Sequence, residues 1–216
     1  MLSKKHLPST ELGQLIFLPG ASGDLSFWQP VLQQLVSSLN LKQDQAQIVP
    51  YPEFGGHPAH PDVHRFEDLQ QLVLDQIEQP SILIAQSMGG IFAVQAALHK
   101  PQHVQSLVLV ATSGGIDLTP YQVKDWREEY QQTFTVPDWF VRHHSALDDQ
   151  LDQIQCPVLL IWGDADPISP VAVGQYLQQK ITHAQLKLIA GGQHDLAYKH
   201  ATQVATWIHD FIQQRL

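Results

Sequence analysis

Residues 81–90, with the sequence Ser-Ile-Leu-Ile-Ala-Gln-Ser-Met-Gly-Gly, decide the fold of this chain. The apolar run at 82–85 is too short for a helix, and its β-branched members favour a strand that is buried on both faces. From residue 91 to residue 98, small and apolar residues recur at helical spacing. Ser87 is therefore predicted to lie on a sharp turn between a strand and a helix, at the carboxyl edge of a sheet.

The five residues from Ala85 to Gly89, Ala-Gln-Ser-Met-Gly, resemble the nucleophile elbow of the α/β-hydrolase superfamily, which usually reads Gly-x-Ser-x-Gly. Ala85 stands where the first glycine is usual. One extra methyl is a mild change, because this position needs a small side chain more than a positive φ. By itself the stretch also fits a strand followed by a serine N-cap and packing glycines, with no catalytic duty.

The composition of the 216 residues predicts one globular α/β domain over 1–216, since 44% of them are hydrophobic and 15% are charged. A formal net charge of -9 disfavours binding to nucleic acid or to anionic membranes, because both would repel the chain. The single cysteine, Cys156, excludes an internal disulfide and suits a reducing compartment. Neither a signal peptide nor a membrane span is predicted, so we expect a soluble, cytoplasmic protein.

Strands and helices alternate along the chain, which predicts a mostly parallel central sheet with helices on both faces. Strands are predicted at 15–18, 47–51, 82–85, 104–110, 157–163 and 186–190. Helices are predicted at 27–39, 66–77, 91–98 and 171–180, with a last one near the carboxyl terminus. Residues 112–155 interrupt the alternation. They resemble the lid of the α/β-hydrolase superfamily, reduced to a short helical insertion at about 113–153.

Three polar groups follow predicted strands in the order serine, aspartate, histidine. A serine hydroxyl needs a base within hydrogen-bond reach, and that base needs an acceptor that fixes its tautomer. The resemblance implies Ser87 as nucleophile, His194 as general base and an aspartate as acid. The superfamily's strand commonly ends Gly-x-x-Asp-x-x-x-Pro, which places the acid at Asp166, although Asp164 remains the alternative.

The first predicted strand ends in Pro19-Gly20-Ala21, which resembles the superfamily's His-Gly segment with proline in place of histidine. The resemblance implies that the backbone N–H groups of Ala21 and Met88 hold the oxyanion. Trp28 falls where an aromatic residue often packs under this loop. In the lid, three aromatic residues are candidates for lining an apolar acyl or alcohol pocket: Trp126, Trp139 and Phe140.

Together these residues resemble a small-lid serine carboxylesterase that cleaves a small carboxylic ester or thioester through an acyl-enzyme intermediate. The nearest named resemblance is to carboxylesterases that include those cleaving pimeloyl esters. Such chemistry implies a small-molecule ester substrate, with no cofactor and no metal. The oligomeric state is not predicted. Alternatives on the same triad are a C–C bond hydrolase and a lactonase, and an alternative of another class is a non-catalytic binding protein with this fold.

A loop after the second predicted strand carries three histidines, His57, His60 and His64. They suggest a metal-dependent hydrolase as a third hypothesis. No cysteine or carboxylate gives a recognised ligand spacing with them, and a loop holds ligands only when something orients it. We therefore expect solvated histidines at the rim of the molecule.

Overall fold

A computed structural model describes residues 12–121, 123, 130, 132–133 and 136–215. Within these residues six strands form one parallel sheet in the order β2-β1-β3-β4-β5-β6. The strands are β1 (Gln14–Leu18), β2 (Ala46–Ile48), β3 (Ser81–Gln86), β4 (Val104–Val110), β5 (Val158–Gly163) and β6 (Ala184–Ile189). The predicted α/β class with a parallel central sheet is confirmed.

Helices cover both faces of this sheet. The first three α-helices are α1 (Gln29–Ser38), α2 (Phe66–Asp75) and α3 (Met88–His99). The later α-helices are Asp138–Arg142, Val171–Lys180, Leu196–Lys199 and Ala201–Gln213, and short 3-10 helices lie at Leu25–Trp28, Gln43–Gln45 and Asp148–Gln153. Among the described residues, every helix is too short or too polar to cross a lipid bilayer.

The alternation of side chains along β1 explains the two layers of the core. Ile16 and Leu18 face the cluster that contains the apolar sides of α2, α3 and Val171–Lys180. Leu15 and Phe17 face the other cluster, which contains α1 and Ala201–Gln213. Because both faces are covered there, the inner strands β1, β3 and β5 are almost continuously apolar and buried, as the sequence pattern indicates, whereas the edge strands β2 and β6 include polar residues.

Several element boundaries differ from the predicted ones. The helix predicted from residue 27 begins at Gln29, because a 3-10 turn comes first and Asp24 Oδ1 accepts a hydrogen bond from Ser26 N at 2.8 Å. Strand β2 ends at Ile48 rather than residue 51, although Val49 N still donates to Phe17 O at 2.9 Å. The last strand spans Ala184–Ile189 instead of 186–190.

The predicted lid lies between β4 and β5, which pair directly with each other. Its described residues include the helices Asp138–Arg142 and Asp148–Gln153 and no strand. Leu147 N donates to Gly115 O at 3.0 Å, a bond that closes the base of the insertion. The use of this insertion as a cover over a substrate pocket stays a prediction.

Candidate active site

Ser87 lies on the turn that joins strand β3 to helix α3. Its backbone adopts φ 51° and ψ -121°, a left-handed conformation that is unfavourable for any residue with a β-carbon. Two contacts hold the turn: Ser87 N donates to Val110 O at 3.2 Å, and Thr112 Oγ1 donates to Ser87 O at 2.5 Å. The strained residue is half-buried at the carboxyl edge of the sheet.

Gly89 allows the first turn of α3 to lie against the end of β1. A β-carbon at Gly89 would lie 2.6 Å from Pro19 O, a backbone atom that cannot swing aside. Ala85, by contrast, sits in the buried strand without a positive φ, so a methyl group fits there. The departure from the usual elbow sequence therefore falls at the position where a small side chain is sufficient.

Asp166 and His194 are brought together at the ends of β5 and β6. Asp166 Oδ2 lies 2.8 Å from His194 Nδ1, while Asp166 Oδ1 accepts hydrogen bonds from Ile168 N at 2.8 Å and Ser169 N at 3.1 Å. The Asp166 side chain is 0% exposed and that of His194 is 24% exposed. Because a carboxylate only accepts, the imidazole donates from Nδ1, and its Nε2 is left as an acceptor.

Asp164 has a different environment, although it is only two residues away. It is exposed, and its Oδ1 accepts a hydrogen bond from Gly191 N at 2.6 Å. It thus braces the loop that leads from β6 to His194. The structure brings Asp166 rather than Asp164 against the imidazole, and the part of Asp166 as triad acid stays a prediction.

Ser87 lies beside the loop at residues 19–21, and its neighbour Gln86 contacts the loop that carries His194. A β-carbon at Gly20 would lie 3.2 Å from Ser87 Cβ, so residues 19–21 run directly past the serine. Gln86, the residue before Ser87, donates from Nε2 to His194 O at 3.3 Å. Within the described residues, no hydrogen bond joins Ser87 to His194 itself. Catalytic hydrogen bonds are often long without substrate and tighten when substrate binds.

Two buried aromatic residues hold the loop that begins at Pro19. Trp28 Nε1 donates to Leu18 O at 3.3 Å, and the Tyr51 hydroxyl donates to Pro19 O at 3.1 Å. Burial raises the pKa of Tyr51 well above its usual value, so the hydroxyl keeps its proton. Ala21 follows in the same loop. Trp28 therefore packs beneath this loop, as the resemblance implies.

The two amides expected to hold an oxyanion belong to buried residues, Ala21 and Met88. Met88 is the first residue of α3, and N–H groups in the first turn of a helix have no partner inside the helix. Among the described residues, no backbone carbonyl accepts a hydrogen bond from either amide. Both N–H groups are thus free to bind a negatively charged oxygen, and that duty stays a prediction.

The aromatic candidates in the insertion have three different outcomes. Phe140 is buried, with ring centroids 5.4 Å from Phe54 and 6.5 Å from Tyr130. Trp139 lies 5.9 Å from Phe54 and lines an open groove of about 560 Å³. Trp126 lies outside the described residues. Contact of any of the three with substrate stays a prediction.

The histidine loop, residues 53–64, carries the third group of candidates. His60 and His64 line the groove beside Trp139, and His60 Nδ1 accepts a hydrogen bond from Asp62 N at 3.2 Å. No cluster of three His, Cys, Asp or Glu side chains suited to a metal ion occurs in the part of the chain that the structure describes.

Burial raises the pKa of Cys156 to about 12, so this thiol is a poor nucleophile at neutral pH.

Sequence reasoning missed four residues that support the site: Tyr51, Gln86, Thr112 and Ser169. Each follows or ends a predicted strand and carries a hydrogen-bonding side chain, which is the signal that would have drawn attention to them. Most of their partners lie in loops that follow other strands, so these contacts depend on strand order, which the alternation of strands and helices leaves open.

Comparison with known proteins identifies the fold around this site. Residues 14–143, more than half of the chain, match the family model described as alpha/beta hydrolase fold. The chain belongs to the α/β-hydrolase family. Its six parallel strands and flanking helices are thus the α/β-hydrolase fold that the elbow sequence predicts.

Relatives of this α/β-hydrolase include esterases. The hydrolase YugF of Bacillus subtilis (strain 168) is 23% identical, and the match covers 75% of this chain and 78% of that one. The pimeloyl-(acyl-carrier protein) methyl ester esterase of Aliivibrio salmonicida (strain LFI1238) is 22% identical, with 94% of this chain and 93% of that one covered. The crystal structure of the enol-lactonase of Burkholderia xenovorans LB400 has a TM-score of 0.74 at 17% identity, covering 94% and 92%.

Proposed function

We propose that this α/β-hydrolase is a serine carboxylesterase that forms an acyl-enzyme on Ser87. The observation that carries the proposal is the 2.8 Å contact between His194 Nδ1 and the fully buried Asp166 carboxylate. It lies at the sheet edge where Ser87 occupies a strained turn. An imidazole whose tautomer is set by a buried carboxylate is the base that a serine nucleophile requires.

The reaction proceeds in two acyl transfers. Ser87 Oγ attacks the ester carbonyl carbon while His194 Nε2 takes the hydroxyl proton, and Asp166 stabilises the imidazolium that forms. The tetrahedral intermediate expels the alcohol or thiol, which receives that proton from His194. Water then attacks the acyl-enzyme with His194 again as base, and Ser87 is released with its proton restored.

The negative oxygen of each intermediate is held by the amides of Ala21 and Met88. Met88 follows Ser87 at the start of α3, and Ala21 follows Gly20, which lies beside Ser87. Helix N-termini favour negative charge because their N–H groups point outward. Removing one such donor typically raises the barrier by roughly 3 kcal/mol.

The substrate class is a small carboxylic ester or thioester. Support comes from the esterase of Aliivibrio salmonicida, which matches nearly the full length of both chains. A lactone is a cyclic ester that the same groups would open, so a lactonase remains the second candidate beside the enol-lactonase fold. We assign Trp139 and Phe140 to the walls of the acyl or alcohol pocket, while Trp126, outside the described residues, stays a candidate from the sequence.

A nitrophenyl ester and a fluorophosphonate probe test the proposal. The wild-type chain is expected to release a burst of nitrophenol and to be labelled at Ser87, while Ser87→Ala does neither and keeps its fold by circular dichroism. A folded wild-type chain that resists labelling would instead support a binding protein. Loss of hydrolysis on adding a chelator would support the metal hypothesis. A panel of esters of increasing acyl length, with lactones included, then ranks the substrates.

A further inference from the structure

Gln86 lies at the contact between the serine turn and the loop that carries His194. It ends strand β3 and is 5% exposed, and its Nε2 donates to His194 O at 3.3 Å across 108 residues of sequence. We propose that Gln86 is a positioning residue, which fixes the main chain of His194 so that the imidazole meets Ser87. This inference rests on the function proposed above.

The other end of the same carboxamide faces the first loop. Of the atoms that a β-carbon at Gly20 would meet, Gln86 Oε1 is the nearest, and Ser87 Cβ comes next at 3.2 Å. The amide of Gln86 therefore fills the space between Gly20 and His194. One side chain thus separates the loop of the oxyanion amide from the loop of the base and sets the distance between them.

His194 is consequently held at two points. Asp166 holds its imidazole, and a chain of hydrogen bonds connects this carboxylate back to the serine turn. Ser169 N donates to Asp166 Oδ1 at 3.1 Å, and Ser169 Oγ donates to Thr112 O at 3.3 Å. Thr112 Oγ1 in turn donates to Ser87 O at 2.5 Å. Gln86 closes this path into a ring by holding the main chain of His194. Without Gln86, Asp166 is the one hydrogen-bond partner left to His194 among the described residues, and the imidazole can tilt about that contact.

The chemistry of the glutamine amide suits this position. A buried carbonyl without a donor costs free energy, and the Nε2 group supplies one without bringing a charge beside the base. Methionine has a similar length and no N–H donor. An ionised glutamate has the same shape, but it only accepts hydrogen bonds, so its carboxylate would face the His194 carbonyl without a proton between them.

The test uses Gln86→Met and Gln86→Glu, with Gln105→Met as the matched control. Gln105 lies on the neighbouring strand and its Oε1 accepts a hydrogen bond from Gly13 N at 2.9 Å, but at the opposite end of the sheet. We expect both Gln86 variants to lower kcat for the nitrophenyl ester about 10-fold with KM within 2-fold, since misorientation of a base affects the chemical step. Gln105→Met is expected to keep wild-type kcat even if it melts earlier.

A second readout does not require turnover. The proton between His194 Nδ1 and Asp166 is expected to give a downfield NMR signal in the wild type, and the Gln86 variants should shift it while Gln105→Met does not. A folded Gln86 variant with wild-type kcat and an unmoved signal overturns the inference alone. If the wild-type chain gives this signal but no burst of nitrophenol, the proposed function is overturned. The role of Gln86 in that reaction is then overturned as well. If Gln86→Met fails to fold, kcat and the NMR signal of Gln86→Glu test the inference instead.

Discussion

The carboxyl edge of the sheet and the histidine loop carry similar reactive groups in opposite settings. At the edge, hydrogen bonds join residues that are far apart in sequence, such as Asp166 and His194, 28 positions apart. In the histidine loop, the bond of His60 reaches only to Asp62. Buried, non-local contacts restrict a side chain to one orientation, whereas local ones leave it free to move with its loop. A reactive residue type therefore indicates a functional site when side chains or loops from other elements orient it.

The largest expected effect distinguishes the two aspartates at the edge. Asp166→Asn should lower kcat for a nitrophenyl ester by roughly 10³- to 10⁴-fold, because the amide favours the wrong imidazole tautomer. Asp164→Asn keeps an oxygen for Gly191 N and should change kcat less than 3-fold. Steady-state kinetics of both variants checks this. If the two variants lost kcat to a similar extent, catalysis would depend on the conformation of the loop and not on the carboxylate beside His194.

Two glycine-to-alanine substitutions, one in each region, are expected to differ next most in stability and activity. Gly89→Ala forces a methyl group against Pro19 O, so we expect a loss of about 2 kcal/mol of stability and at least 10-fold of activity. Gly56→Ala, in the histidine loop, meets no atom within 4 Å but has φ 80°, so it should cost about 1 kcal/mol and leave kcat unchanged. Thermal melts and kinetics of the pair provide the measurement. Equal activity in both variants would contradict the close approach at Gly89.

A smaller effect is expected from the hydroxyl that holds the first loop. Tyr51→Phe removes the donor to Pro19 O and should lower stability by about 1 kcal/mol and kcat by roughly 3-fold. Tyr198→Phe is the control, since this ring is exposed and stacks beside Phe27. Denaturant unfolding of both variants measures the difference. If Tyr51→Phe is as stable as the control, the loop is held by Trp28 alone.

No change is expected from removing the loop histidines. The double variant His60→Ala and His64→Ala should keep kcat within 2-fold of wild type, and a chelator should have no effect on either protein, because hydrolysis by the serine mechanism needs no metal. The measurement is the same nitrophenyl ester assay with and without EDTA. A chelator-sensitive wild type whose double variant is inactive would move the chemistry to the histidine loop.

The fold could be predicted because its signals are local. The apolar run of β3 and the change of period after Ser87 mark a strand, a turn and a helix within ten residues. The spacing from Gly163 to Pro170 favoured Asp166 as the acid and left Asp164 as the alternative. The structure has Asp166 Oδ2 2.8 Å from His194 Nδ1, and the role of this carboxylate stays a prediction.

The supporting contacts could not be predicted because they cross between strands. Gln86 reaches His194 only because β3 and the end of β6 open onto the same edge, and Tyr51 reaches Pro19 only because β2 lies beside β1. The side-chain environments in the insertion were even harder to predict. Phe140 and Trp139 are adjacent in sequence, yet one is buried and the other faces a groove, a difference that helix packing rather than composition decides.

The left-handed backbone at Ser87 has a consequence for heat resistance. A side chain at φ 51° costs of order 1–2 kcal/mol that glycine would not. The chain with glycine at this turn should thus melt at a higher temperature while lacking the hydroxyl. Under the proposed mechanism, directed evolution for thermal tolerance alone would therefore favour a more stable variant without activity, so such a screen must select for turnover as well.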